Sequence, residues 1–290
     1  MQFGQLRSLR RIPACRSVRL ALGVCAMACS QAVAQDGVSI PDFYSDGVSW
    51  IGNGTELEPP ASGPGPVTFD PAFPYVSNAQ AAQTGEAANF RVADLNNPIL
   101  RPWVVEALRT QNEEVHVGGA VFDGKVRCWP AGIPVFLLYP GSPIYFLQTP
   151  DEVVMIMEQD HQVRHVAMNQ PHSENPIPSW YGESVGHYEG DTLVVDTIGF
   201  NDRTFIDNYR TPHTTKLHIV ERFRFTEDGV PPQVMIEIED QGAFTTPWSA
   251  MRYFRKAENR PLTEYICAEN NEHYFGYDVP PIPQDDTPDF

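Results

Sequence analysis

The chain is poor in basic residues: Lys and Arg number 20 against 37 Asp and Glu, a formal net charge of −17. Such acidity argues against nucleic acid or an anionic membrane surface as a partner. Beyond the N-terminal segment no apolar run approaches the ~20 residues that span a bilayer, so no membrane span is expected. No G-x-S-x-G, H-E-x-x-H, P-loop or dinucleotide fingerprint occurs, and no cofactor is expected. The stretch "GESVG", Gly182–Gly186, has only a superficial likeness to the first, because it runs into a hairpin rather than a strand–turn–helix elbow. There is no internal repeat and no mark of an oligomeric state.

Cysteine is also scarce, and its placement is informative. Residues 1–34 carry Arg7, Arg10, Arg11, Arg16 and Arg19 and no acid, followed by the apolar run "LALGVCAMA" and Ala32-Val33-Ala34. A basic segment, a short apolar run and an A-x-A site predict a secretory signal peptide over 1–34. A lipoprotein leader ending at Cys29 is the alternative, although its "AMAC" lacks the usual large aliphatic residue. Removing the leader leaves 15 basic and 37 acidic residues, a charge of −22, and a chain of about 255 residues, enough for one sizeable core. Cys15, Cys25 and Cys29 leave with it. The two that remain, Cys128 and Cys267, are expected to pair as one disulfide in an oxidising compartment, and the protein is expected to be periplasmic or secreted.

Along the chain, residues 35–94 are rich in Gly, Pro, Ser, Ala and Asn and predict an irregular arm. A single β-barrel domain is expected over 95–278, with a disordered acidic tail at 279–290. The run "PILRPWVVEALRTQN", 98–112, reads as a short helix with Trp103, Val104, Ala107 and Leu108 on one face. From Tyr145 the pattern becomes "IYFLQT", "EVVMIMEQ", "QVRHVAMN", "ESVGHYEG", "DTLVVDTIGF", "KLHIVERFRF", "QVMIEIED", "SAMRYFRKA" and "LTEYICAEN". Turn residues such as Glu189-Gly190-Asp191 separate most of these runs. The expected fold is all-β, an antiparallel up-and-down lipocalin-like barrel, with a β-sandwich as the alternative.

Alternation of side chains between the two faces of a strand selects the inward polar residues. Leu217, Ile219, Glu221, Phe223 and Phe225 share an apolar face, as do Val234, Ile236, Ile238 and Asp240, and Arg164 with Val166 and Met168. Asp196 joins Thr192, Val194 and Ile198, but Leu193 and Val195 opposite are equally apolar, so its direction stays open, with the inward one favoured. Buried charges must pair or line a wet cavity. His213 lies in a loop before a strand, His172 and His187 in or near other loops, and His218 on an outward face. Trp180, Tyr181 and Trp248 gather near the loops and would suit stacking on a ring.

The segments "CWPAGIP", "IYFLQTPDEVVMIMEQDHQVRHV", "SWYGESVGHYEGDTLVVDTIGFND", "PHTTKLHIVERFRF", "IEDQGAFTTPW" and "LTEYICAEN" occur in this order. Together they resemble a widespread family of secreted bacterial proteins over roughly 95–275. The resemblance implies an all-β, calycin-like fold and weight on Gly182, Ser184, Asp191, Asp196, His213, Glu221, Arg222 and Trp248. The chain departs from the family's Asp-Gly-Arg-x-His-Pro run, where it has "MNQPHSE" and keeps His172, and from its Asp-Pro after Asp240, where it has Gln-Gly.

The functional expectation is a periplasmic small-molecule enzyme doing cofactor-free acid–base chemistry (lyase, isomerase or hydrolase) on an aromatic or carbohydrate-derived compound. His213 would be the general base or acid and Asp196 or Glu221 its partner, with Arg164, His172, Trp180, Tyr181, His187 and Trp248 binding substrate. A non-catalytic carrier of a hydrophobic ligand and a metal-binding protein using loop histidines are the alternatives.

Overall fold

Nine strands, most of them alternating buried and wetter side chains, close into one barrel. The computed structural model describes residues 41–43, 47–119, 121–139, 141–225, 230–258 and 260–267, all within one compact unit, Val38–Phe290. The predicted leader and tail lie outside the described residues. The strands are β1 (Ser49–Gly52), β2 (Pro143–Gln148), β3 (Glu152–Met157), β4 (Gln162–Met168), β5 (Glu183–Glu189), β6 (Thr192–Ile198), β7 (His218–Arg224), β8 (Gln233–Glu239) and β9 (Trp248–Ala257). Each pairs with its neighbours in sequence, and β1 pairs with β9, so the sheet has no open edge and the sandwich alternative does not apply. All neighbours are antiparallel except β4 and β5, which run parallel where Val166 faces Ser184 and Met168 faces Gly186. The 169–182 segment between them is the one connection that travels the barrel's length.

Two expectations about the ends of the domain change. The arm is not separate from the barrel: β1, four residues long, comes from it, and Phe43, Val48, Trp50, Leu57 and Val67 of the same stretch are core residues. The arm also holds a short helix, α1 (Asn78–Thr84), which Ser77 caps by accepting from the Gln80 amide. The segment expected as a last strand, "LTEYICAEN", forms no strand over its described part; it is held against the 158–161 turn by Thr263 Oγ1 donating to Glu158 Oε1 at 2.6 Å and by the Asp160 amide donating to Tyr265 O at 2.8 Å.

The predicted helix is α2 (Pro102–His116), with Pro102 in its first turn. Its buried face is Val104, Leu108, Asn112 and Val115; Trp103 stands off that face and donates its indole N–H to Gly242 O at 2.7 Å. No helix among the described residues is long and apolar enough to cross a membrane. The expected disulfide forms between Cys128 and Cys267, with Cα atoms 5.5 Å apart.

The barrel's axis is filled unequally. At the end with the short turns 149–151 and 190–191, Phe43, Phe146, Phe225, Phe254 and Trp50 form an aromatic plug, with Trp50 stacked on Phe225 at 4.4 Å. Buried aromatic pairs of this kind add about 0.5–1.5 kcal/mol beyond their area. The opposite end is covered by long segments, 53–142 and 199–217, and there the interior turns polar. Ile133, Val135, Phe136 and Leu137 cap it.

Candidate functional site

Three groups of polar residues result, and they differ in what water can reach. The first lies inside the barrel. Arg164 and Glu221 are fully buried as expected and pair at 2.5 Å. Arg164 also donates to Ser184 Oγ at 3.2 Å and Thr197 Oγ1 at 2.9 Å. The pair and these two bonds offset part of the cost of desolvating both charges, while Arg164 Nη1 and Glu221 Oε1 stay buried without a hydrogen-bond partner among the described residues. Arg164 is thus not exposed to bind a substrate oxygen, and Glu221 is engaged by Arg164 rather than by a histidine. Asp240, the third inward acid, accepts from the Thr214 amide at 2.6 Å, the Thr214 hydroxyl at 2.7 Å and the Gly242 amide at 2.8 Å, and so fixes the turn before β9.

The second group is under the long loops. His213 is 3 % exposed. Its Nδ1 faces the Thr214 carbonyl at 3.0 Å; a carbonyl only accepts, so Nδ1 carries the proton. Nε2 then accepts from the Thr204 hydroxyl at 2.8 Å. Burial pushes His213 below the usual histidine value, with the Thr214 carbonyl and Asp240 opposing. His213 contacts neither Asp196 nor Glu221 by hydrogen bond, so the expected histidine–carboxylate unit does not form there. Nearby Asp207 accepts from the Thr211 hydroxyl at 2.7 Å and from the Tyr209 and Thr211 amides at 2.8 and 3.1 Å, yet burial still raises its carboxyl to about 6. A cleft of about 20 Å³ lies beside Thr204 and Asp207, room for about one water.

The third group is on the outer wall. Leu193, Val195 and Thr197 are the inward residues of β6, so Asp196 points out, which corrects the inward placement. Asp196 stands opposite Val220 of β7, and the outward neighbour two residues back from Val220 is His218. His218 Nε2 meets Asp196 Oδ1 at 2.9 Å, and His172, from the 169–182 segment, brings its Nε2 to the same oxygen at 3.0 Å. With Asp196 ionised, both nitrogens donate. His172 Nδ1 lies 3.1 Å from Glu183 Oε1. Glu183 in turn accepts from the Ser173 hydroxyl at 2.6 Å and amide at 2.7 Å; these bonds hold its carboxyl below the usual range, His172 adding to the effect. The result is a chain, Glu183–His172–Asp196–His218, across three strands and a loop. His218 also lines a groove of about 330 Å³ between the barrel wall and the 62–64 stretch of the arm, with Pro64, Val220, Glu237, Glu239, Pro247 and Trp248.

The remaining expected residues scatter. His187 lies near the plugged end, paired with Glu189 at 3.0 Å. Trp180 packs edge-on to Trp129 at 5.3 Å, and Tyr181 donates to Gln162 and packs on Phe136. Trp248 is buried edge-on to Phe244 at 5.5 Å, one wall of the groove. Among the residues to which the family resemblance gave weight, Asp191 accepts from Arg224 at 3.0 Å and Arg222 donates to Glu237 at 2.5 Å. His218 was read as a surface residue; its outward parity was visible, but its partner depends on a register set across a 19-residue connection, 199–217. No group of three or more His, Cys, Asp or Glu among the described residues is placed to hold a metal ion. Compared with protein-family models, curated proteins and solved structures, the chain matches none.

Proposed function

We propose that the protein is a small-molecule enzyme whose proton-transfer unit is His218 held by Asp196, working without a cofactor at the outer-wall groove. The observation that carries this is that one histidine both lines a groove of about 330 Å³ and makes a 2.9 Å bond to a carboxylate. Donation from Nε2 to Asp196 leaves Nδ1 of neutral His218 as the base, and Asp196 stabilises the imidazolium that forms on proton uptake. His172, anchored by Glu183, holds Asp196 from the other side. Glu237 and Glu239 line the groove with apolar Pro64, Val220 and Pro247, a lining suited to a neutral ring bearing hydroxyls and opposed to an anion. The reading therefore keeps lyase, isomerase or hydrolase chemistry on an aromatic or carbohydrate-derived compound.

An exported, periplasmic setting belongs to the same proposal; the predicted leader and the disulfide support it. The carrier alternative draws no support from the barrel axis, where Phe146, Met155, Phe223 and Ile236 are fully buried. To test the reading, compounds that co-purify with the protein are identified by mass spectrometry and their close analogues assayed for turnover. With the substrate found, His218→Gln should lower kcat about 100-fold or more, while His213→Gln leaves it near wild type. Wild-type turnover by His218→Gln and Asp196→Asn would overturn it.

A further inference from the structure

The second polar group contains a buried cation that no carboxylate among the described residues contacts. Arg210 is 3 % exposed, and its Nε donates to Gln111 Oε1 at 2.8 Å and its Nη2 to the Arg91 carbonyl at 2.8 Å. No carboxylate among the described residues makes an ion pair with it; Asp207 and Asp123, which line the same cleft, act on it only at longer range. The other deeply buried arginines are treated differently. Arg164 has Glu221, and Arg252 is caged by the carbonyls of Leu137 at 3.0 Å, Gly54 at 2.7 Å and Asn53. Arg210 also holds a left-handed backbone, φ 65°, a strained conformation for a non-glycine residue. Strain and an unpaired buried charge at one residue are costs that a ligand site explains.

The cleft beside Arg210 is lined by two more cations, Lys125 and Arg203, in a protein with few. Lys125 is oriented by Asn208 Oδ1 at 2.6 Å, and Asn208 is itself tied to the Thr55 carbonyl at 2.6 Å, so the ammonium is fixed rather than free to swing. The two acids of the cleft are occupied. Asp207 accepts from Thr211 and Tyr209, and Asp123 accepts from the Lys125 amide at 3.0 Å and pairs with the Lys125 ammonium at 3.4 Å, so the three cations of the cleft face two carboxylates and keep one positive charge in excess. Gly132 presses on Thr204, whose Cγ2 lies 2.6 Å from where a Cβ would stand, which keeps this wall close and the cleft narrow. About 20 Å³ admits one oxygen atom and not a ring.

We propose that this cleft binds a small oxyanion end-on, a carboxylate or phosphate group, between Arg210, Lys125 and Arg203. The site is separate from the outer-wall groove and does not depend on the function proposed for that groove. An anion that binds only the folded chain raises its thermal stability in a saturable way. The test is thermal unfolding of the full chain titrated with sodium phosphate or sodium acetate, against sodium chloride at matched ionic strength. We expect a saturable rise in Tm of about 3 °C or more with at least one oxyanion and none with chloride. A response to phosphate alone assigns a phosphorylated ligand, and one to acetate alone a carboxylate. Arg210→Gln should abolish the rise, and Lys125→Gln should weaken apparent affinity about tenfold. Arg210 is buried, so should its variant fail to fold, the half-exposed Lys125 carries the test. Equal melting in chloride and both oxyanions, or an unchanged response in Lys125→Gln, would overturn the site.

Discussion

Asp207 is buried and has three hydrogen-bond donors but, among the described residues, no cation in contact. Its folded value of about 6 lies above the ordinary 3.8, so the folded state holds the proton more tightly than the unfolded one. The stabilising contribution of the protonated form is full below 3.8 and is lost as pH rises through 6. A rise from 3.8 to about 6 corresponds to about 3 kcal/mol. Asp207→Asn mimics the protonated form at every pH. It should therefore match the wild type near pH 3.8 and exceed it by up to that amount above pH 6, as measured by denaturant unfolding at several pH values. A constant difference across the range would refute the assignment. His213 works in the opposite sense: its lowered value makes stability fall as pH drops below the usual histidine range. At this scale the sequence was partly legible. Parity placed Arg164, Glu221 and Asp240 inside correctly, because each shares a face with residues whose opposite face is polar. It could not place Asp196, because Val194 and Val195 are both buried and β6 offers no polar face to compare.

At the scale of elements, the barrel closes through its shortest strand. β1 pairs with β9 over four residues and with β2 over two, so its four residues must fit closely. Gly52 sits against Arg252: a Cβ there would stand 2.3 Å from Nη2 and 3.0 Å from Cζ. The guanidinium cannot retreat, because it donates to the carbonyls of Leu137, Asn53 and Gly54, which are the backbone that follows β1 and the cap over the barrel's loop-covered end. Gly52→Ala should therefore displace Arg252 and cost about 2–4 kcal/mol, the range for overpacking combined with loss of buried hydrogen bonds. Unfolding in urea would measure it, and a variant within 0.5 kcal/mol of wild type would show that the cage yields without cost. Strands β3, β4, β5, β7, β8 and β9 were readable from alternation because each has a buried and a wetter face, whereas β2, with four buried residues in succession, and β6, with three, were readable from their apolar runs and bounding turns. β1, "SWIG", has three buried residues in succession and sits in a Gly- and Pro-rich stretch, so it carries no period of two. The last expected strand failed for the converse reason: its apolar period has no core face to meet, since Leu262 and Tyr265 are exposed.

At the scale of the whole molecule, the disulfide joins segments 139 residues apart. Both ends matter to the cleft side of the barrel. Cys128 follows the 3-10 turn Gly124–Arg127, which carries Lys125, and Cys267 belongs to the strap that Glu158 and Asp160 hold by side chain and backbone. Compartment logic paired these cysteines from sequence alone, whereas the strap's course depends on contacts no local pattern announces. Loop entropy for a closure of this length corresponds to about 5 kcal/mol, and native disulfides deliver about 2–4. Reduction, or Cys128→Ser with Cys267→Ser, should then lower Tm by about 10 °C and leave the barrel folded, because the nine-strand ladder does not include the bridge. The strap, held otherwise by a few polar bonds, should open first and become the earliest site of proteolysis. A reduced protein that melts with the oxidised one would mean that those polar bonds alone fix the strap. Coupled loss is the sharper expectation: if the strap also steadies the Gly124–Arg127 turn, reduction should weaken the phosphate or acetate response that depends on Lys125, while chemistry at His218, on the outer wall, continues.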